Sequence, residues 1–95
     1  MAFGVSDCWS VYIVRTKGDT LYTGVSTDVA RRFQEHCSNN SRSAKALRGK
    51  GPLQLVFSQS VGDRAQAQSM ECKIKKLARC DKDLLISGEI NLSML

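Results

Sequence analysis

The segment from residue 9 to residue 25 reads WSVYIVRTKGDTLYTGV. Its first seven residues are rich in β-branched and aromatic side chains, which is typical of a β-strand. Lys17-Gly18-Asp19 contains residue types that favour a tight turn. Residues 20–25 again have strand character, so the segment predicts a β-hairpin.

A helix is predicted directly after the hairpin. Ser26-Thr27-Asp28 supplies side chains that cap helix N-termini, and the helix is expected to end at about Cys37. Val29, Phe33 and Cys37 recur at i, i+4 and i+8, which places them on one apolar stripe. The Ser-, Asn-, Arg- and Gly-rich segment that follows contains a candidate short helix at residues 43–48.

A third strand is predicted for residues 53–58. Gly51-Pro52 closes the preceding segment and marks the start of this strand. Leu53, Leu55 and Phe57 alternate along it and are expected on one face.

Two helices are predicted after the third strand. Asp63 and Gln66 have the spacing of a capping box at the start of a long helix. The apolar face of this helix is expected to comprise Ala67, Met70, Ile74, Leu77 and Ala78. A last short helix is predicted from Asp81 to about Ile86, before Gly88. The order β-β-α-(α)-β-α-α predicts an α/β (α+β) fold with a small three-stranded, largely antiparallel sheet flanked by helices.

The composition is that of an ordinary folded domain. The chain has 95 residues, of which 42% are hydrophobic and 24% charged, which argues against wholesale disorder. We expect one domain over residues 1–95, with its core at about residues 9–86. No apolar run approaches the roughly 18–20 residues that span a bilayer. Residues 1–7 lack the features of a secretory signal, so we expect a cytoplasmic protein with no membrane partner.

The four cysteines give no metal or disulfide pattern. Their spacing contains no Cys-x-x-Cys, and the chain has one histidine, so a structural zinc site is poorly supported. A reducing compartment disfavours disulfides. Cys37 and Cys80 are instead expected to pack as small hydrophobic residues.

Positive charge is concentrated in two segments. The net charge is +5, and residues 31–50 contain six basic residues and one acidic residue, whereas residues 64–82 contain six basic and two acidic residues. Such clusters are expected for a polyanionic partner, because each neutralised phosphate releases counterions. A solvated surface without such a partner is the alternative.

An ordered set of side chains carries the functional signal. Tyr12 lies on the first predicted strand, and Tyr22-Thr23-Gly24 lies on the second. Arg32 follows that glycine by eight residues, His36 comes one helical turn later, and Glu71 lies in the middle of the long helix. Over most of the chain this pattern resembles the GIY-YIG nuclease superfamily, particularly its small single-domain bacterial members.

The chain departs from the superfamily pattern at three motif positions. Ser10 stands in place of a glycine, and Val11 and Thr23 each stand in place of an isoleucine. The side chains that do the chemistry are retained. Superfamily members often carry a later asparagine, for which Asn91 is the candidate here, 20 residues after Glu71.

The resemblance implies a metal-dependent endonuclease that hydrolyses phosphodiester bonds in nucleic acid, with DNA favoured over RNA. It implies one divalent cofactor, Mg²⁺ or Mn²⁺, held by Glu71 together with substrate phosphate. Arg32 is implied as the phosphate ligand, since a guanidinium can bind phosphate oxygens bidentately.

The resemblance also implies that Tyr12 is the general base or the group that positions water, with Tyr22 in support. A phenol with a pKa of about 10 is a weak base at pH 7 unless nearby positive charge lowers that pKa. Arg32 and the metal could supply this charge. His36 could act as the base instead, and the choice stays open.

Each of these side chains also has a purely structural interpretation. Glu71 lies at the edge of the apolar face of its helix and could simply pair with Lys75 at i+4. Tyr12 and Tyr22 could form an ordinary cross-strand pair. His36 could cap the C-terminus of its helix.

Basic residues are predicted to hold the nucleic-acid backbone, and they are Arg31, Arg42, Lys45, Arg48 and Lys50. Nothing in the sequence resembles a recognition helix or a zinc finger, so we expect binding without sequence readout. A homodimer or a protein partner that supplies specificity is therefore considered. Two other functions stay as alternatives: a nucleic-acid-binding module of the same fold with little or no catalysis, and a protein-interaction domain.

Overall fold

The computed structural model describes residues 8–38 and 44–95, apart from the side chain of Ala46. Its strands are β1 (Trp9–Arg15), β2 (Leu21–Ser26) and β3 (Gln54–Gly62), and its helices are α1 (Val29–Cys37), α2 (Arg64–Lys75) and α3 (Arg79–Ser87). Short 3₁₀ turns cover Lys45–Leu47 and Leu92–Met94. The 3₁₀ turn at Lys45–Leu47 lies within the short helix predicted at residues 43–48. Residue 43 itself is outside the described residues. Every helix in the described ranges is too short or too polar to cross a membrane.

The three strands form one antiparallel sheet in the order β2-β1-β3. Residues 11–14 of the central strand β1 are all buried, because both faces of this strand are covered. Tyr12 lies opposite Gly24, and Val14 lies opposite Tyr22. Since side chains alternate along a strand, Tyr12 and Tyr22 project from the same face. The α+β fold with helices flanking a three-stranded sheet is confirmed.

Two apolar clusters cover the two faces of the sheet. One joins odd-numbered residues of β1 to Ile74 of α2 and Leu85 of α3. The other joins Tyr12 to Leu47 and to Phe33 of α1. Helix α1 therefore lies on the face that carries the two tyrosines.

Strand β3 does not keep a simple alternation, so the prediction that Leu53, Leu55 and Phe57 share one face is wrong. Leu53 and Leu55 join the cluster on the α1 face, whereas Phe57 packs in the opposite cluster. Leu55 and Phe57 lie opposite consecutive residues of β1, which leaves Val56 as an extra residue. This β-bulge shifts the alternation by one position.

Helix α2 begins with the predicted capping box. The Asp63 carboxylate accepts from the Gln66 backbone N–H at 2.8 Å, and the Gln66 side-chain oxygen accepts from the Asp63 N–H at 3.0 Å. Gly62 precedes the box with φ +152°, and a Cβ there would collide with Gln66 Oε1. Glycine at this position therefore leaves space for the Gln66 side chain to accept from the Asp63 N–H.

The junction between α2 and α3 differs from the prediction. Ala78, predicted on the apolar face of the long helix, is exposed and is the N-cap residue of α3. α3 consequently begins at Arg79, two residues before its predicted start, and ends at Ser87, followed by Gly88 as a left-handed C-cap residue. The chain must turn here, because Leu85 packs in the same cluster as Ile74.

Burial within α1 also differs from the prediction. Cys37 and Cys80 are exposed, so the expectation that they pack as small hydrophobic residues is wrong. The buried residue of α1 is His36. A polar ring can be buried at this position because both of its nitrogens are hydrogen-bonded.

Candidate active site

Tyr12 lies at the centre of the candidate site and is 1% exposed. Its ring passes over Gly24, the residue that faces it on β2. A Cβ at Gly24 would lie 2.6 Å from the Tyr12 hydroxyl oxygen and 2.7 Å from Cζ, closer than real Cβ atoms approach. Because Gly24 has no side chain, the Tyr12 ring can extend across β2 towards α1.

Three aromatic rings meet beneath α1. The Tyr12 hydroxyl lies 2.9 Å from His36 Nε2. The Tyr22 ring centroid lies 6.4 Å from that of Tyr12 and 5.5 Å from that of His36. His36 is 1% exposed, so it does not cap the helix as a solvated imidazole. The structure thus brings together three of the predicted site residues.

The hydrogen bonds of His36 determine its tautomer. Ala44 donates its backbone N–H to Nδ1 at 3.2 Å, so the neutral ring carries its proton on Nε2 and donates it to Tyr12. Burial lowers the pKa of His36 below its ordinary value of 6.5, and the charge of Arg32 lowers it further. The ring is therefore neutral at pH 7, and Nε2 has no lone pair with which to accept a proton.

Arg32 and Arg31 differ in their surroundings. Arg32 donates from Nη1 to Glu35 Oε1 at 3.0 Å, and its charge lies close enough to Tyr12 to lower the pKa of that phenol. Burial is the largest single effect and opposes the charge of Arg32, but the hydrogen bond to Glu35 and the interactions with Tyr12 and Glu35 together outweigh it and raise the pKa. The Arg31 side chain is 72% exposed, and its Nε lies 3.5 Å from Glu35 Oε2. Arg32 is thus the arginine that faces the tyrosine.

The hydroxyl of Tyr12 is a neutral phenol in this environment. Burial is the main cause that raises its pKa from 10.0 to about 12, and Tyr22 adds to the increase. Arg32 lowers the pKa, as predicted, but its effect is smaller than that of burial. Arg32 alone therefore does not bring this pKa below its ordinary value, and a lowering by Arg32 together with the metal stays a prediction.

Glu71 lies on α2 with its side chain 22% exposed, at the predicted edge between core and solvent. Its Oε2 lies 3.2 Å from Lys75 Nζ, so the predicted i+4 ion pair forms. Its negative charge also raises the pKa of Tyr12. The carboxylate is therefore in electrostatic range of the phenol, although the two residues lie on different elements.

The residues predicted to hold the nucleic-acid backbone lie on the surface where they are described. Arg31 lies in the first turn of α1, and Lys45, Arg48 and Lys50 are exposed in the segment before β3. Arg42 lies outside the described residues. These side chains are separate from the buried ring cluster.

Two groups in the site were missing from the prediction. Glu35 contacts both arginines of α1, and its i+3 and i+4 spacing from them was a signal that could have identified it. The N–H of Ala44 has no side-chain signal in the sequence. Asn91, the candidate later asparagine, accepts from the Ser93 N–H at 3.0 Å and caps the last 3₁₀ turn.

Comparisons with known proteins place this site in a family. A family model described as the GIY-YIG catalytic domain matches residues 8–82. A UPF0213 protein of Enterobacter sp. (strain 638) is 51% identical over 82 residues, which cover 86% of this chain and 78% of that protein. The UPF0213 protein YhbQ of Escherichia coli (strain K12) is 49% identical over 79 residues, which cover 83% of this chain and 77% of that protein.

A solved structure is also similar. The solution NMR structure of the UPF0213 protein BH0048 from Bacillus halodurans has a TM-score of 0.53 and 38% sequence identity. The match covers 83% of this chain and 82% of that chain. The similarity therefore extends over most of the chain.

Proposed function

This chain belongs to the GIY-YIG family, and from that premise we propose that it is a metal-dependent endonuclease that hydrolyses phosphodiester bonds in DNA. The observation that carries the proposal is the buried hydrogen bond between Tyr12 and His36 within electrostatic range of Arg32. A phenol and an imidazole are costly to bury beside a guanidinium. A catalytic role gives a reason for their presence.

Arg32 is proposed to bind the scissile phosphate. Its hydrogen bond with Glu35 orients the guanidinium before substrate arrives. Little conformational freedom is then lost on binding. A fixed positive charge stabilises the additional negative charge on the phosphate oxygens in the transition state.

Tyr12 is proposed to position the attacking water. Its hydroxyl accepts a hydrogen bond from His36 and lies within range of the positive charge of Arg32, and both favour the phenolate over the phenol. Further positive charge beside the hydroxyl would lower its pKa and make it a general base. His36 is then a positioning residue, because its proton on Nε2 holds the phenol oxygen in place.

Glu71 is the residue that would hold Mg²⁺ or Mn²⁺. Magnesium sites often use one or two carboxylates and complete their shell with substrate phosphate and water. The described residues contain no group of three or more metal-binding side chains, and a single carboxylate fits a site of this open type. The bound ion would activate water and stabilise the leaving oxygen. Releasing Glu71 from Lys75 costs only about 0.2–0.5 kcal/mol, as for other i+4 pairs.

The exposed basic residues Lys45, Arg48 and Lys50 are proposed to hold the nucleic-acid backbone by charge. DNA is proposed as the substrate on family membership alone, since contacts to phosphates do not distinguish DNA from RNA. A second copy of the chain or a protein partner that supplies specificity also remains a proposal.

The test is nicking of supercoiled plasmid in Mg²⁺, Mn²⁺ and EDTA. We expect Glu71→Gln to lower the cleavage rate by at least about 100-fold, the loss of several kcal/mol of charge stabilisation. Lys75→Gln is the matched control, since it removes the same ion pair and keeps the carboxylate. Arg32→Gln should lose cleavage, whereas its neighbour Arg31→Gln should only weaken binding. Equal cleavage by Glu71→Gln and the native chain would contradict the assignment.

The raised pKa of Tyr12 favours one second candidate, a nucleic-acid-binding module of the same fold. A phenol with a pKa of about 12 is almost entirely protonated at pH 7 and is a weak base until a cation binds. Salt-sensitive DNA binding in EDTA, with no cleavage of DNA or RNA in either metal, would support this second function.

A further inference from the structure

Two pockets near the candidate site share residues of the segment 49–51 in their linings. The first has a volume of about 510 Å³ and is lined by His36, Leu47, Pro52 and Leu53, among others. The second has a volume of about 450 Å³ and includes Lys17 and Lys50. Gly49 and Gly51 line both pockets, so the two lie next to each other along this segment and are treated together as one groove. Both volumes lie within the roughly 300–1,000 Å³ of small-molecule sites.

We propose that this groove, called the loop groove below, binds one unpaired nucleotide of the nucleic-acid substrate. The base enters the first pocket, and an adjoining phosphate lies in the second. The inference deepens the proposed nuclease function, on which it rests. It makes unpaired or single-stranded nucleic acid the preferred substrate over intact duplex.

The chemistry of the first pocket suits a nucleobase. Leu47, Pro52 and Leu53 offer apolar surface to the flat faces of a base, and Cys37 adds a small neutral side chain. A base within a duplex cannot reach such a pocket, because it is stacked and paired, so only an unstacked nucleotide can enter. Binding to the faces of a base depends little on which base is present.

The chemistry of the second pocket suits a phosphate. Lys17 and Lys50 both line it, and the Lys17 backbone N–H donates to the Lys50 carbonyl at 3.0 Å, which holds their segments together. The described residues that line the two pockets include no carboxylate. Positive charge without a competing acid favours an anion here.

The loop groove is continuous with the candidate active site through His36. This residue lines the first pocket, and its Nε2 contacts the Tyr12 hydroxyl. A nucleotide in the groove therefore lies next to the residue that holds Tyr12. The position is suited to placing the neighbouring phosphodiester near Tyr12 and Arg32.

The experiment measures binding in EDTA, so that cleavage does not enter the result. Fluorescence anisotropy compares three labelled DNA probes: a mixed-sequence single strand, a strand of the same length with abasic sites, and a hairpin duplex. We expect the native chain to bind the intact strand roughly tenfold more tightly than the abasic strand. It should also bind the intact strand more tightly than the duplex.

Two sets of variants separate the two pockets. Gly51→Leu places a bulky side chain at a residue that lines both pockets. A Cβ at this position would lie 3.9 Å from its nearest heavy atom, so the backbone there can carry a side chain without a clash at Cβ. It should abolish the difference between intact and abasic strands, whereas Gln68→Leu on the exposed side of α2 should keep it. Lys17→Gln with Lys50→Gln should weaken all probes and reduce the salt slope by roughly 1.4. The control is the double variant Lys73→Gln with Lys82→Gln, which removes the same number of positive charges from other positions.

The outcomes separate this inference from the nuclease proposal. Equal affinity of the native chain for intact and abasic strands would overturn the inference, and so would equal affinity for single strand and duplex. Nicking of plasmid could still be observed in that case, and the proposed function would stand. A preference for intact single strands without any cleavage would support the groove and reject the nuclease. Melting curves of Gly51→Leu are used to check that the variant folds. The pair of lysine variants tests the groove independently.

Discussion

Gly24 controls the position of Tyr12 by having no side chain. We expect Gly24→Ala to push the phenol away from α1, since the new Cβ would lie 2.6 Å from the hydroxyl oxygen. The crowded core should lose about 1–3 kcal/mol of unfolding free energy. Cleavage should fall further than this stability loss explains, because Tyr12 loses its hydrogen bond with His36 and its position near Arg32. Denaturant unfolding and plasmid nicking measure the two effects.

Gly18→Ala is the matched control for that prediction. A Cβ at Gly18 lies 3.9 Å from the Thr16 hydroxyl, which is ordinary van der Waals contact. The substitution should change stability by less than about 0.5 kcal/mol, as for most surface positions. Full activity of Gly24→Ala at native stability would show that Tyr12 needs no fixed position.

His36 makes the stability of the protein depend on pH. Its pKa is lowered in the folded state by burial and by Arg32, whereas the unfolded chain keeps a value near 6.5. The unfolded state therefore binds more protons in the window below pH 6.5, and stability falls there. The contribution is complete above about pH 6.5 and is lost as the pH falls through the lower, folded-state pKa.

We expect the melting temperature of the native chain to fall as the pH is lowered from 7 towards 5. His36→Gln should be less stable at pH 7 but should show a flatter profile over this range. Parallel profiles for the two proteins would show that another group is responsible.

The residues of the candidate site could be proposed from the sequence, but their ionisation states could not. Tyr12, His36 and Arg32 come together as the motif spacing predicts, because Tyr12 faces Gly24 and α1 packs over that side of the sheet. The pKa of Tyr12 could not be predicted, since it depends on how much solvent the packed helix excludes. The tautomer of His36 depends on the backbone of Ala44, which no side-chain pattern reveals.

At the scale of the elements, α2 depends on its first turn. Asp63→Ala removes the carboxylate that accepts the Gln66 N–H, and it should lower the unfolding free energy by about 1 kcal/mol. Gln68→Ala, at an exposed position of the same helix, should change it by less than about 0.5 kcal/mol. Chemical denaturation of the two variants measures the difference. A loss as large for Gln68→Ala would mean that helix propensity, and not the cap, is limiting.

The boundaries of the elements were predictable where local chemistry determines them. β1 and the capping box of α2 occur as predicted, because strand composition and capping side chains act over a few residues. The bulge at Val56 and the end of α2 before Ala78 were not predictable. The bulge and the helix end both depend on where distant elements pack. The apolar pattern continues past each point in the sequence, so the pattern alone cannot reveal that the strand or helix is interrupted there.

At the scale of the whole molecule, the fold and the proposed metal site are independent. The two faces of the sheet are covered by apolar clusters built from side chains of all three described helices. Structural metal sites usually need several protein ligands, whereas the described residues hold no group of three or more metal-binding side chains. The energy of folding is therefore expected to come from apolar burial rather than from a bound ion.

Chelation should consequently abolish cleavage and leave the melting temperature unchanged. A site held by Glu71 alone gains little stability from its ion, since Mg²⁺ at a concentration equal to its Kd adds only about 0.4 kcal/mol. Calorimetry in EDTA and in Mg²⁺ at about its Kd, run beside the nicking assay, makes the comparison, with Glu71→Gln as the variant that does not bind the ion. A large fall in melting temperature in EDTA would contradict the prediction, because it would require a structural ion with ligands beyond Glu71. The ion would then belong to the fold rather than to the reaction.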